Sequence, residues 1–169
     1  VTFSAAGLDG PSSRVVTVQV TDNGGLTAAA QATVNVVNVA PVLGAITAPL
    51  DPNQVNTSIN TSANFTDTGT PDTHTAVWGW GDTTTSAGTV TETNGAGSVT
   101  GTHTYTTAGV YTVKLAVNDD DSGAGESQFQ FVVIYNPDGG FVTGGGWIDS
   151  PSGAYTANSS LSGKANFGF

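Results

Sequence analysis

At 169 residues the chain has room for one sizeable domain, or for one small domain with pieces of others. Its net charge of −10 comes from 13 acids against three bases, Arg14, Lys114 and Lys164, so it has no basic footprint for nucleic acid or for an anionic membrane surface. No cysteine is present, which excludes disulfide frameworks and thiolate zinc sites, and no apolar run approaches the roughly 18 residues of a membrane span. Charged residues make up only 9%, far below the usual quarter, and Thr, Ser, Asn, Gln and Gly supply the polarity instead. That surface chemistry suits secreted β-rich proteins. Methionine is also absent, so the chain is expected to be a processed or partial piece of something longer.

In chain order, residues 1–40 place Val16, Val18 and Val20 on one face, turn at Asp22-Asn23-Gly24-Gly25, and return through Ala30, Ala32, Val34 and Val36. The pattern predicts a hairpin. It recurs: Val18-Gln19-Val20-Thr21-Asp22 matches Leu115-Ala116-Val117-Asn118-Asp119, and Ala32–Val37 matches Phe129–Ile134, at an offset of roughly 97 residues. That offset is one sandwich domain, so residues 1–40 are expected to be the last strands of a preceding domain. A two-stranded hairpin is marginal alone and needs other strands to complete it.

Asn38-Val39-Ala40-Pro41 forms a short joint that Pro41 and Pro49 stiffen. From Val55 to Phe65, Val55, Thr57, Ile59, Thr61, Ala63 and Phe65 alternate with Asn56, Ser58, Asn60, Ser62 and Asn64, which predicts one strand. A turn over Asp67–His74 leads into Val77-Trp78-Gly79-Trp80-Gly81-Asp82, where both indoles share a face. Gly88–Gly101 is a further hairpin, and strands over Tyr105–Val117 and Gln128–Tyr135 complete a sandwich with no helix. After residue 137, Phe141–Pro151 and Gly163–Phe169 are the opening strands of another β domain, too short to bury a core of their own.

Trp78, Gly81 and Asp82, then His103 and Tyr105, then Gly109, Tyr111, Val113, Leu115, Val117 and Asp119 stand in a recognisable order. With them, residues 41–137 resemble a polycystin-type (PKD) domain, an immunoglobulin-like module of secreted and cell-surface proteins. The departures are Gly79 for Asp, Trp80 for Phe and Thr83 for the last Gly of the turn. The resemblance implies an all-β antiparallel sandwich with Trp78, Trp80, Asp82, His103, Tyr105 and Tyr111 as its structural motif. It also implies an extracellular or cell-surface location. The C-terminal piece resembles the module that follows PKD repeats in some large secreted bacterial proteins.

For chemistry, His74 and His103 are the only histidines, and no nucleophile elbow or His-Glu-x-x-His motif is present, so no enzyme activity is expected. Asp119-Asp120-Asp121-Ser122-Gly123, with Glu126 nearby, gathers hard oxygens, and Asp119 and Asp121 are candidate calcium ligands; such turns also form through Asx bonds alone. Asp22-Asn23-Gly24 is a weaker version. Four sequons, at Asn56, Asn60, Asn64 and Asn158, are candidate glycan attachment points. Trp78, Trp80 and Trp147 are either core or a platform for glycan stacking.

The reading that follows is a non-catalytic structural or adhesion module, a spacer whose partners are other β domains and glycans. One alternative is a subunit of a filament built head-to-tail by strand complementation of its unfinished ends. Another is a substrate-binding accessory domain of a secreted hydrolase.

Overall fold

The computed structural model describes residues 4, 7–139 and 144–168. It divides into two compact units, Val1–Asn136 and Pro137–Phe169. The first opens with β1 (Ser12–Thr21) and β2 (Thr27–Val36), an antiparallel hairpin that stands apart from the other sheets. Then come β3 (Val42–Leu43), β4 (Asn53–Gln54), β5 (Ser58–Thr66), β6 (His74–Gly79) and β7 (Thr85–Ala87). These are followed by β8 (Thr89–Thr93), β9 (Ala96–Thr104), β10 (Gly109–Asp119) and β11 (Ala124–Tyr135).

Two sheets face each other in an immunoglobulin-like sandwich. One runs β3-β5-β9-β8 and the other β4-β11-β10-β6-β7. All pairings are antiparallel except β4 with β11, where Ile134 meets Asn53 and Tyr135 meets Gln54. Alternation makes the core, since inward side chains lie two residues apart along a strand, and β11 breaks step once, at a bulge opposite Tyr111 and Val113, so that Phe129 and then Val132 face inward. β5 buries Ile59, Thr61, Ala63 and Phe65; β10 buries Val113, Leu115 and Val117; β11 buries Val132 and Ile134.

Trp78 on β6 and Trp80 just beyond its end both turn inward to this core. Trp78 and Trp80 are fully buried, stacked with ring centroids 5.6 Å apart. Room for Trp78 comes from Gly101 on β9, where an added Cβ would lie 2.5 Å from the indole Nε1. Beyond β6 the chain reverses at Gly81 (φ +80°), where a Cβ would crowd the Thr112 carbonyl at 2.6 Å. Thr83 follows at φ +71°, a left-handed conformation that disfavours a β-branched residue.

Two expectations need correction. The strand over Val55–Phe65 begins only at Ser58, because Asn56 takes a left-handed φ of +63° in a turn. The expected strand over Tyr105–Val117 begins at Gly109. Residues 105–108 carry the chain from β9 in one sheet to β10 in the other, which a continuous strand cannot do.

The sequence repeat has a structural counterpart. β1 and β10 start 97 residues apart, as do β2 and β11. The register agrees near the turns: Thr21 pairs with Thr27 as Asn118 pairs with Ala124, and Val18 with Ala30 as Leu115 with Ser127. The turns are built alike as well. Asp22 Oδ1 accepts from the N–H groups of Gly24 and Leu26, both at 2.8 Å, and Asp119 Oδ1 accepts from those of Asp121 (3.0 Å) and Gly123 (2.6 Å). What differs is cover. Val18 and Val20 are 45% and 65% exposed, whereas their counterparts Leu115 and Val117 are buried.

In the second unit, β12 (Gly145–Ser150) and β13 (Gly163–Gly168) pair antiparallel. The ribbon leaves Trp147, Ile148 and Phe167 exposed, and Lys164 Nζ lies 3.8 Å from the centre of the Trp147 ring. Of the strands expected here, Phe141–Thr143 and Phe169 lie outside the described residues.

Candidate functional site

The motif residues form a column of rings through the sandwich. Trp80 stacks on His103 at 4.7 Å, His103 meets Tyr105 edge-on at 4.5 Å, and Tyr105 stacks on Tyr111 at 4.2 Å. Hydrogen bonds fix the column: Tyr105 Oη donates to the Trp80 carbonyl at 2.7 Å, and Trp80 Nε1 donates to Ser86 Oγ at 3.0 Å. His103 Nε2 lies 2.8 Å from Asp82 Oδ2, while Asp82 Oδ1 accepts from the backbone N–H and hydroxyl of Thr84. Burial works to raise the Asp82 pKa, but the bonds from Thr84 and His103 outweigh it and hold the carboxyl below its ordinary value. Burial, and then the Asp82 charge, push the Tyr105 phenol above its ordinary range. No hydroxyl nucleophile addresses His103 among the described hydrogen bonds, and the Thr84 hydroxyl is committed to Asp82. The arrangement is a structural brace.

Neither indole of this column is open to a glycan, which corrects the platform reading for Trp78 and Trp80. Trp147 is 54% exposed. Asn60 and Asn64 lie exposed on β5, Asn56 in the turn before it, and Asn158 Oδ1 accepts from Ser160. The outer face of the five-stranded sheet carries a shallow groove of about 540 Å³, lined by Val77, Lys114, Glu126 and Gln128 among others. Glu126 therefore lies on that face, away from the Asp119 turn.

The acids gather where the N-terminal hairpin meets the sandwich. Five carboxylates form two overlapping groups, Asp9 with Asp72 and Asp121, and Asp67 with Asp72 and Asp119; within each group one oxygen per residue lies within 4.8 Å of the others. Local turns place them. Asp67 Oδ1 accepts from the Gly69 N–H (2.8 Å) in the loop before β6, and any Cβ at Gly69 would collide with the Asp72 carboxylate. Asp119 Oδ1 caps the turn between β10 and β11, and its Oδ2 accepts from Asn38 Nδ2 of the joint at 2.9 Å. A cavity of about 130 Å³ adjoins, lined by Leu8, Gly10, Val37, Val39, Gly69 and Asp72.

Asp67 has an imidazole partner nearby. His74, fully buried, sets Nε2 3.1 Å from Asp67 Oδ2 and Nδ1 2.6 Å from Glu92 Oε2. Burial opposes its protonation, yet the two carboxylates prevail and raise its pKa. Asp72 has no such partner among the described residues: it is 6% exposed, and neither carboxylate oxygen meets a hydrogen-bond donor. Burial first, and then the facing carboxylates of Asp9, Asp67 and Asp119, push its pKa up to about 6. Asp121 is raised by partial loss of water and by Asp9. Asp120 turns away and accepts from the Thr73 N–H at 3.0 Å.

Of the two candidate calcium ligands read from the sequence, Asp119 and Asp121 both sit in this cluster, one in each group. Asp9, Asp67 and Asp72 escaped the sequence reading. Asp67-Thr68-Gly69-Thr70-Pro71-Asp72 carries a turn signal that could have flagged two of them, but nothing local ties Asp9 to Asp72 or to Asp121.

The fold and the ring column define an immunoglobulin-like module with an internal brace. A sequence model of the PKD domain matches residues 38–134, more than half of the chain. The chain belongs to the PKD domain family. Among solved structures, it is similar to the PKD domain of an M14-like peptidase from Thermoplasmatales archaeon SCGC AB-540-F20. Identity there is 22% over 58% of this chain and 98% of that one, with a TM-score of 0.46. It is also similar to the fibronectin(III)-like modules of Clostridium thermocellum CbhA, at 14% identity over 78% of this chain and 67% of that one, with a TM-score of 0.43. No curated protein matches. PKD domains are typically extracellular and non-catalytic. Among the described residues no helix is long and apolar enough to cross a membrane.

Proposed function

We propose that the chain is a spacer and contact segment of an extracellular array, in which sandwiches joined by short Pro-stiffened linkers hold other surfaces at a set distance. The repeated hairpin carries this reading. β1–β2 shares strand starts, register near the turn and turn construction with β10–β11, which supports reading it as the closing strands of a preceding module. In this reading, further strands of the same polypeptide cover the bare face around Val18 and Val20 in cis. The partners are other β domains, with glycans on the exposed sequons as a second class of contact.

A second reading is favoured by that same bare face: strands of a neighbouring subunit cover it, and head-to-tail repetition of the contact gives a filament. Sedimentation velocity on the protein from its native source separates the two. Single particles across the micromolar range support the spacer. A concentration-dependent, open-ended series of polymers, lost in a Val18→Lys/Val20→Lys variant, overturns it in favour of the filament.

A further inference from the structure

We infer that Asp9, Asp72 and Asp121 bind one calcium ion that fastens the N-terminal hairpin to the sandwich. Asp9 lies three residues before β1, Asp72 in the loop before β6, and Asp121 in the turn between β10 and β11. Folding therefore brings together three acids from distant parts of the chain, at the meeting of two structural elements.

Three observations point to a cation. First, a buried carboxylate normally has a donor or a counter-charge, and Asp72 has neither on either oxygen. The side chains of Asp9 and Asp121 likewise face other acids in this cluster. Asp67 and Asp119, by contrast, are already held by His74, Asn38 and backbone N–H groups. Among the described residues, the three-acid group is the part of the cluster left without positive charge. Second, neither of the two bases of this unit serves it: Arg14 donates to the Ser13 carbonyl, and Lys114 lines the outer groove. Third, the spacing fits. Oxygens bound to one calcium at 2.3–2.6 Å lie at most about 5 Å apart, and these lie within 4.8 Å of one another.

The donor set chooses the ion. Carboxylates alone, with no imidazole or thiolate among them, suit a hard cation. Three carboxylates offer up to six oxygens, the lower end of what calcium takes, and water in the adjoining cavity can fill the remainder. Magnesium prefers to keep its own water and an octahedral shell, which this all-acid cluster does not favour. The site includes Asp121, one of the two sequence candidates, and assigns its principal ligands elsewhere.

The test is calorimetric titration of the whole chain with calcium, paired with thermal melts in chelator and in excess calcium. Calcium should bind and raise the melting temperature, and magnesium at the same concentration should do so much less. Asp72→Asn should weaken binding at least tenfold while raising the melting temperature in chelator, because the amide removes an uncompensated buried charge. Those opposite signs separate a ligand from a residue that merely supports the fold. Asp9→Asn tests the joint: its calcium affinity should also fall at least tenfold. Unchanged affinity in Asp9→Asn would overturn the clamp, leaving an ion held by the sandwich alone. No calcium dependence of the wild-type melt up to about 10 mM, above the weakest extracellular sites, would overturn the site itself. This test is independent of the spacer and filament readings, since either array is compatible with a calcium-free joint.

Discussion

Gly101→Ala is the sharpest probe of the core. The Cβ it introduces would stand 2.5 Å from Nε1 and 2.6 Å from Cδ1 of Trp78, against an ordinary contact near 3.4–4 Å. The indole would have to retreat by about 1 Å in an interior packed to crystal-like density. It has nowhere to go, being fully buried and stacked on Trp80. Gly88 lies close to the same nitrogen: a Cβ there would fall 3.1 Å from Nε1. Overpacking of this kind costs about 1–3 kcal/mol. For a sandwich of roughly 100 residues that is a fall of roughly 5–20 °C in melting temperature. Thermal melts followed by tryptophan fluorescence and near-UV circular dichroism would measure it. Gly79→Ala is the control, because a Cβ there meets only Lys114 Cβ, at 3.8 Å. It should leave stability unchanged or raise it by up to about 1 kcal/mol through the unfolded chain. Equal melting temperatures for Gly101→Ala and wild type, or an equal loss in Gly79→Ala, would refute the glycine-slot account of Trp78.

Thr83→Gly should stabilise the protein by about 0.5–1 kcal/mol, since relief of a left-handed β-branched residue exceeds the entropy that glycine adds to the unfolded chain. The urea midpoint reads this, and a lower midpoint would show that Thr83 is unstrained. Asp82→Asn should cost about 1–2 kcal/mol at neutral pH by weakening the bonds to Thr84 and His103. Because the folded-state pKa of Asp82 lies below its unfolded value of 3.8, its contribution is present above about pH 4 and lost as pH falls further, so the gap between variant and wild type should close in acid. A constant gap down to pH 2 would remove the carboxylate from that account. Tyr105 has a folded-state pKa above the ordinary 10, so its contribution is full below pH 10 and fades as pH rises beyond it. Tyr105→Phe should cost about 1–2 kcal/mol at pH 7, where the bond to the Trp80 carbonyl is lost, and its deficit should shrink in alkali. Urea titrations across pH would check both.

The fold was legible because period-two alternation is a local property. Val113, Leu115 and Val117 must share a face once β10 is extended, and Ile59, Ala63 and Phe65 must share one on β5. The repeat at 97 residues could likewise be read from two short stretches, and the matching Asx turns at Asp22 and Asp119 are local consequences of their own sequence. Element ends were harder. Asn56 could have extended the strand by its alternation, but its left-handed backbone ends it; Tyr105–Ala108 alternate acceptably yet must cross between sheets.

Two things depended on tertiary structure. Trp78 and Trp80 on one face were equally consistent with a core and a platform; the opposing sheet, brought close by Gly101, decided for the core. The acid cluster was the other. The sequence singled out Asp119 and Asp121 because they are neighbours along the chain, while the carboxylate in greatest need of a partner is Asp72, which folding sets against Asp9 and Asp121. Hydrophobic period is written residue by residue, so sequence alone reaches the sandwich. Charge acts through space, and only the folded chain determines which acids face one another.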